Sequence, residues 1–223
     1  MDFRDFVEDL SKYEGASVFN PWGQSDAAHD IGAAAPEIRR ENLTAYLAPR
    51  QQARWIFLAE ALGYQGGHFS GVALTCERMF LGYHEIGPDQ IFHNYQPRRT
   101  SKTCLGGLVG QKGFNEPTDT VVWGALLEHG IDPFQVVLWN IFPFHPYKDG
   151  DLLTNRTPNP QELSVGFAYL QKLRSILPEA GIVAIGRKAG ETLAAGGLDC
   201  PVLRHPANGG ANLFRQQLRD LLL

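Results

Sequence analysis

Four short apolar runs stand out along the chain, at residues 55–59, 136–139, 182–185 and 201–203. Each is only strand length, and β-branched or aromatic residues dominate the first three. None alternates with polar positions, so the runs are expected to be buried on both faces, as in a parallel sheet covered by helices. Elsewhere the apolar spacing turns helical. It predicts helices over 72–83, 118–129, 160–177, 187–195 and 212–222, with Thr118-Asp119 opening the second and Asn159 and Pro160 opening the third. Strand and helix alternate, which makes the fold class α/β. No repeat or linker divides the chain, so a single domain spanning 1–223 is expected. Residues 1–50 are read as an irregular extension packed on it, because Gly, Ala and Pro interrupt any period there.

Composition changes this picture little. The 223 residues are 43% apolar, enough for one packed core. The N-terminus is acidic and lacks an apolar signal core, and no apolar run is long enough to span a bilayer. Three widely spaced cysteines, Cys76, Cys104 and Cys200, give neither a disulfide framework nor a metal knuckle, and a reducing cytoplasm is the expected setting. The formal net charge of −4 argues mildly against a nucleic-acid partner, although a local basic rim can still serve one.

In open parallel sheets, ligands bind beyond the carboxyl ends of the strands. That rule selects the loops that begin at Glu60, Asn140, Gly186 and Arg204. Asn140 ends an apolar run with a neutral amide that can read the edge of a flat polar ligand, or it merely ends a strand. The glycine-rich loop after Glu60 lets backbone approach a ligand, with Phe69 as a flat stacking face, or it is a tight surface turn. It lacks both a phosphate-loop ending and a dinucleotide fingerprint. His205 follows the last strand and is fixed by Pro206, well placed to donate a hydrogen bond to developing negative charge, or it is structural. His29, His84, His93, His129 and His145 are read as structural, and His68 beside Phe69 stays open. Arg187 and Lys188 open a helix where anions collect, whereas Arg98 and Arg99 read as solvated charge. No metal-ligand spacing and no Gly-x-Ser-x-Gly elbow is present.

Taken together, the loops resemble the uracil-DNA glycosylase superfamily. The residues that carry the likeness are Glu60-Ala61-Leu62-Gly63 with Phe69 beyond, Asn140 with Asn155-Arg156-Thr157-Pro158 downstream, Ala184-Ile-Gly-Arg-Lys-Ala, and His205-Pro206-Ala207. The likeness covers roughly residues 56–218 and is nearest the branch whose first motif reads Gly-Glu-Ala/Gly-Pro-Gly. It implies a three-layer α/β/α fold with a central, mostly parallel four-stranded sheet. It also implies a monofunctional DNA glycosylase that flips uracil from single- or double-stranded DNA and leaves an abasic site. Free uracil is the second product; no membrane is involved, and the protein acts as a monomer. Asn140 then reads the uracil edge, Phe69 stacks on the base, and His205 stabilises charge on O2. Glu60 lies near the attacking water, backbone N–H groups of Ala61 and Leu62 near the base or that water, and Tyr64 crowds the C5 side. Arg156, Arg187, Lys188, Arg204, Pro206, Ala207, Asn208 and Gly209 contact DNA.

The sequence departs from that pattern. Ala59 and Leu62 replace the first glycine and the proline of the opening motif, Gly66 stands where a second acid is usual, and Ala207 replaces a serine. The cysteine ligands of the branch's iron–sulfur cluster are missing, so no cofactor is expected. Glu60 is the leading candidate to activate the water, with a backbone carbonyl or Asp26 as the alternatives. Three other readings stay in view: a non-catalytic nucleic-acid-binding module, a glycosylase for another lesion, and a nucleoside hydrolase.

Overall fold

The computed structural model describes residues 1–222. Helix α1 (Phe3–Leu10) opens with a reciprocal cap between Asp2 and Asp5 and buries Phe3, Phe6, Val7 and Leu10. After the short strand β1 (Val18–Phe19) comes α2 (Ala35–Leu47). The first fifty residues are therefore not the irregular extension expected. Their helices escape notice because α1 is short and α2 carries Arg39 and Asn42 on its buried side.

All four apolar runs are strands: β2 (Trp55–Ala61), β3 (Val136–Phe142), β5 (Gly181–Ile185) and β6 (Val202–Leu203). They pair in parallel in the order β3-β2-β5-β6. A separate ribbon joins β1 to β4 (His145–Pro146) in antiparallel fashion. Asn140 does not end its strand. Strand β3 runs two residues further, and Asn140 lies level with Ala59 of β2.

Between β2 and β3 lie α3 (Gly67–Ser70), α4 (Glu77–Phe80), α5 (Pro88–Ile91), α6 (Gly107–Lys112) and α7 (Pro117–Glu128). The helix expected over 72–83 shrinks to α4. Gly71 and Leu74 adopt left-handed φ of 74° and 50°, and Cys76 is extended, so the backbone cannot coil until Glu77. The apolar spacing there reflects burial rather than helix. Later, α8 (Pro160–Ile176) starts on the Asn159–Glu162 capping box, followed by α9 (Arg187–Ala195) and α10 (Ala211–Leu222).

The strand order fixes where the helices go. The chain crosses from β2 to β3 in one direction, then from β3 over β2 to β5 and on to β6 in the other. Right-handed crossovers therefore put α8 and α9 on one face and the α3–α7 connection on the other. Phe6 of α1 packs on Trp139 with ring centroids 5.6 Å apart, and Gly166 lets α8 press directly on the Ile141 carbonyl, so α1 shares the α8 face. The result is a three-layer α/β/α sandwich.

Strand β3 is a sheet edge, yet all seven of its residues are buried. Arg50 Nε donates to the Val136 carbonyl at 2.9 Å, and the Tyr46 hydroxyl accepts from the Leu138 N–H at 2.9 Å. The Arg50 guanidinium lies 3.8 Å from the centre of the Tyr46 ring. These side chains occupy hydrogen-bonding positions that a further strand would need. Among the described residues no helix is long and apolar enough to cross a membrane.

Candidate active site

Side chains alternate across a strand, and residues in register share a face. Trp139 points toward α1, so Asn140 points to the opposite face, the one covered by α7. Ala59, level with Asn140, shares that face, and Glu60 points the other way. The ion pair of Glu60 agrees: its carboxylate lies 3.6 Å from Lys188 Nζ at the start of α9. Lys188 also donates to Thr157 at 2.9 Å. Glu60 and Asn140 are thus on opposite sides of the sheet.

Asn140 is 2% exposed, and its Oδ1 has no donor within reach. A buried acceptor left open costs about 1–3 kcal/mol, which a ligand donor would recover. Trp139 Nε1 is also unpartnered, but it lies on the far face against Phe6 and Trp22.

His205 follows β6 and is half-buried. Its Nδ1 accepts from the Ala207 N–H at 3.1 Å, so the proton of the neutral ring sits on Nε2. Burial, and next the Arg204 charge, lowers its pKa and favours that neutral form. Gly186, at φ 95°, lies against the same ring: a methyl there would meet His205 Cβ at 3.2 Å. Around it, Pro206 is buried, Ala207 is half-buried, and Asn208 and Gly209 are exposed in left-handed turns with φ of 54° and 74°.

In the first loop, the Tyr64 N–H donates to Asn155 Oδ1 at 3.1 Å, tying the loop to the Asn155-Arg156 segment. Ala61 is half-buried at the end of β2, and Leu62 is buried against Gly67. Phe69 is wholly buried. Phe114 stacks on one of its faces, with centroids 4.0 Å apart and planes 7° from parallel. Phe69 and Asn140 are thus brought into the interior but closed off from solvent. A cavity of about 1100 Å³ lies elsewhere, walled by Tyr83, His84, Thr120, Glu128 and Arg215.

The basic residues divide into two sets. Arg156 is held internally: it forks onto Glu162 at 2.8 and 2.6 Å and donates to the Tyr147 and Ser17 carbonyls. It clamps the loop before α8 and is not free to grip a phosphate. Arg187 and Arg204 are exposed at the mouths of the β5 and β6 loops. Arg187 has only an i,i+4 partner in Glu191, and Arg204 reaches the His205 carbonyl.

Two further clusters emerge, of which the sequence pointed only to His68 and Asp26 as single residues. His68 Nδ1 lies 2.9 Å from His145 Nδ1, and His145 Nε2 donates to the Thr154 carbonyl at 2.8 Å. On its other side His68 stacks on Phe19 and faces Asp26 at 3.4 Å, and Asp26 meets His29 at 2.8 Å. Segment 19–26 therefore packs behind α3, with the Trp22 indole donating to the Gly71 carbonyl at 3.0 Å. Burial pushes His68 down to about 3 and His145 down to about 4. The second cluster is Glu116 with Asp119 at the start of α7. Both acids face the 63–66 turn, where an added Cβ at Gly66 would lie 2.5 Å from Glu116 Oε2 and 3.1 Å from Asp119 Oδ2.

No protein-family model matches this chain, and no curated protein matches it by sequence. Among solved structures it is similar to wild-type SMUG2 of Pedobacter heparinus, with a TM-score of 0.62, 12% identity, and coverage of 99% of this chain and 97% of that one. The chain shares the fold of that neighbour. At this identity the likeness shows the fold alone.

Proposed function

We propose that this protein is a uracil-DNA glycosylase. The observation that carries the reading is the unpartnered Oδ1 of Asn140, buried at the carboxyl-end rim of the sheet. Uracil presents an N3–H donor beside the O4 acceptor. The amide accepts from the first with Oδ1 and donates to the second with Nδ2. Cytosine presents the opposite pattern, so a fixed amide meets it donor to donor. Such a mismatch is costly where water cannot intervene.

Chemistry on a base requires taking it out of the stack. Arg187, Lys188 and Arg204 lie where they can hold phosphates while the base is read inside. As the C1′–N1 bond lengthens, negative charge gathers on uracil O2. The Nε2–H of neutral His205 stabilises that charge most when it is greatest, an effect typically worth about 3 kcal/mol. Water then attacks C1′, leaving an abasic site and free uracil. Glu60 faces away from Asn140 and is engaged by Lys188, so it is a poor candidate for activating that water. Phe69 supplies the stacking face once Phe114 or the rest of its cover moves aside.

The test is a single strand containing one uracil, incubated with the protein and then cleaved with alkali at abasic sites. Excision by the wild type is expected, with Asn140→Ala and His205→Ala each slower by about 100-fold or more while still folded. The closed cover over Asn140 and Phe69 favours a second reading, a module of the same fold that binds nucleic acid without catalysis. Binding without strand cleavage would select it.

A further inference from the structure

We propose that Glu116 is the water-activating carboxylate of this site, with Asp119 as the positioning acid behind it. The inference rests on the glycosylase reading above and adds to it a residue from a different part of the chain.

Placement comes first. Helix α7 covers the sheet face to which Asn140 points, and it runs back toward the start of β3. Its N-terminus therefore lies at the carboxyl ends of β2 and β3. There Glu116 and Asp119 lie against the turn that follows β2. A Cβ at Gly63 would lie 3.0 Å from Glu116 Oε2, and one at Gly66 would lie 2.5 Å from the same atom. The two glycines leave the space that the carboxyls occupy. Glu60 lies on the opposite face of the sheet from Asn140.

The hydrogen bonding is unusual for acids in this position. Acids at a helix start commonly accept from its free N–H groups. Glu116 occupies the N-cap position of α7 without making a side-chain cap bond. Asp119 is wholly buried, and neither of its oxygens has a partner. No arginine or lysine pairs with either residue among the described ion pairs. Two carboxyls in one pocket without a cation cannot both ionise easily. Burial raises Glu116 to about 7, and burial together with the Glu116 charge raises Asp119 well above the ordinary carboxylate range. The titratable groups beside this stretch of chain do not supply the missing charge. Cys76 stays a neutral thiol, pushed up to about 12 by burial, and His84 is turned to Asn115 at 2.6 Å. The Glu77 carboxylate is engaged with the backbone of Thr100, Ser101 and Phe114.

A general base is most effective when its pKa lies near the working pH. Glu116, partly exposed, can lose its proton near neutrality while Asp119 keeps its own. In the step proposed, the C1′–N1 electron pair leaves with uracil and a water oxygen forms the new bond to C1′. The proton of that water passes to the Glu116 carboxylate, which returns it to solvent. The uracil anion takes its proton from solvent.

The experiment is the single-turnover rate of uracil excision from pH 5 to 9 for the wild type, Glu116→Gln and Asp119→Asn. The wild type should lose rate as pH falls through the neutral range. Glu116→Gln should be slower by about 100-fold or more and should lack that acidic limb. Asp119→Asn should keep the limb and stay within about tenfold of the wild type. Binding to a strand carrying a non-cleavable uracil nucleotide should be unchanged in Glu116→Gln, which shows that the variant is folded and its pocket intact. A Glu116→Gln rate within threefold of the wild type, or a limb that vanishes only in Asp119→Asn, overturns the inference. Should Asn140→Ala abolish excision while Glu116→Gln does not, the inference alone fails. Should the wild type excise nothing, the proposed function fails and takes this inference with it.

Discussion

Glu77 and Glu116 both stand at the start of a helix, yet their surroundings are opposite. The Glu77 carboxylate accepts from the Thr100 N–H at 2.7 Å, the Ser101 N–H at 3.0 Å and the Phe114 N–H at 3.4 Å, and also from the Ser101 hydroxyl. It braces three separated segments and has little left to offer a ligand. Glu116 makes no side-chain hydrogen bond among the described residues, and Asp119 beside it makes none. A buried acid whose lone pairs are taken is architecture. One whose lone pairs are free destabilises the fold, and such a group persists most readily where chemistry uses it.

The largest effect expected from breaking this contrast is on Glu77. Glu77→Ala leaves several buried N–H groups without an acceptor and should lower stability by about 3 kcal/mol or more, read from urea denaturation. Glu116→Gln should do the reverse above neutral pH. A carboxyl whose pKa is raised on folding contributes stability below its unfolded value, and that contribution is lost as pH rises through the folded one. Removing the charge should therefore raise the midpoint of denaturation at pH 9 and leave it nearly unchanged at pH 5.

The imidazole pair carries the opposite sign. His68 and His145 are pushed down to about 3 and about 4 by burial, so the unfolded chain binds protons that the folded chain refuses. Stability should fall as pH drops below about 6.5, the ordinary histidine value, and His145→Gln should reduce that loss in acid denaturation curves. Smaller again is Gly66→Ala, whose methyl would press on both carboxyls. It should slow excision by about tenfold with a modest stability change. Smallest is Arg187→Ala, an exposed ion pair, which should shift stability by less than about 0.5 kcal/mol. Its effect should appear instead as a shallower dependence of DNA affinity on salt.

The sheet was legible because its strands are continuous apolar runs; burial on both faces holds throughout β3 and for most of β2 and β5, but fails at β6, where Val202 is exposed. Asn140 stands out in the sequence as a polar residue where the run should continue, and the structure buries it with its Oδ1 unpartnered. The place of His205 just after the last strand was readable from the apolar run and the proline behind it, and its role belongs to the proposed function. Glu60 was misleading because alternation across the strand, and not its place in the motif, decides which face it serves. Glu116, the proposed water-activating acid, gave no sign in the sequence because Glu-Pro-Thr-Asp before an apolar stripe looks like an ordinary helix start, and the Gly66 turn it lies against is fifty residues away. Arg156 looked free until Glu162, one turn into α8, took its guanidinium. The His68–His145 pair depends on the β1–β4 ribbon, whose two-residue strands leave no periodic trace.

The fencing of β3 by Tyr46 and Arg50 has a consequence for selectivity. The amide that would tell uracil from cytosine hangs from an outermost strand, where a slip of one residue would turn it to the wrong side of the sheet. Two side chains from an earlier helical segment pin that strand at Val136 and Leu138, within four residues of the amide. Fidelity toward the base is then anchored far from the mouth of the site. A mutation at residue 46 or 50 could blur discrimination without touching a single group that meets DNA.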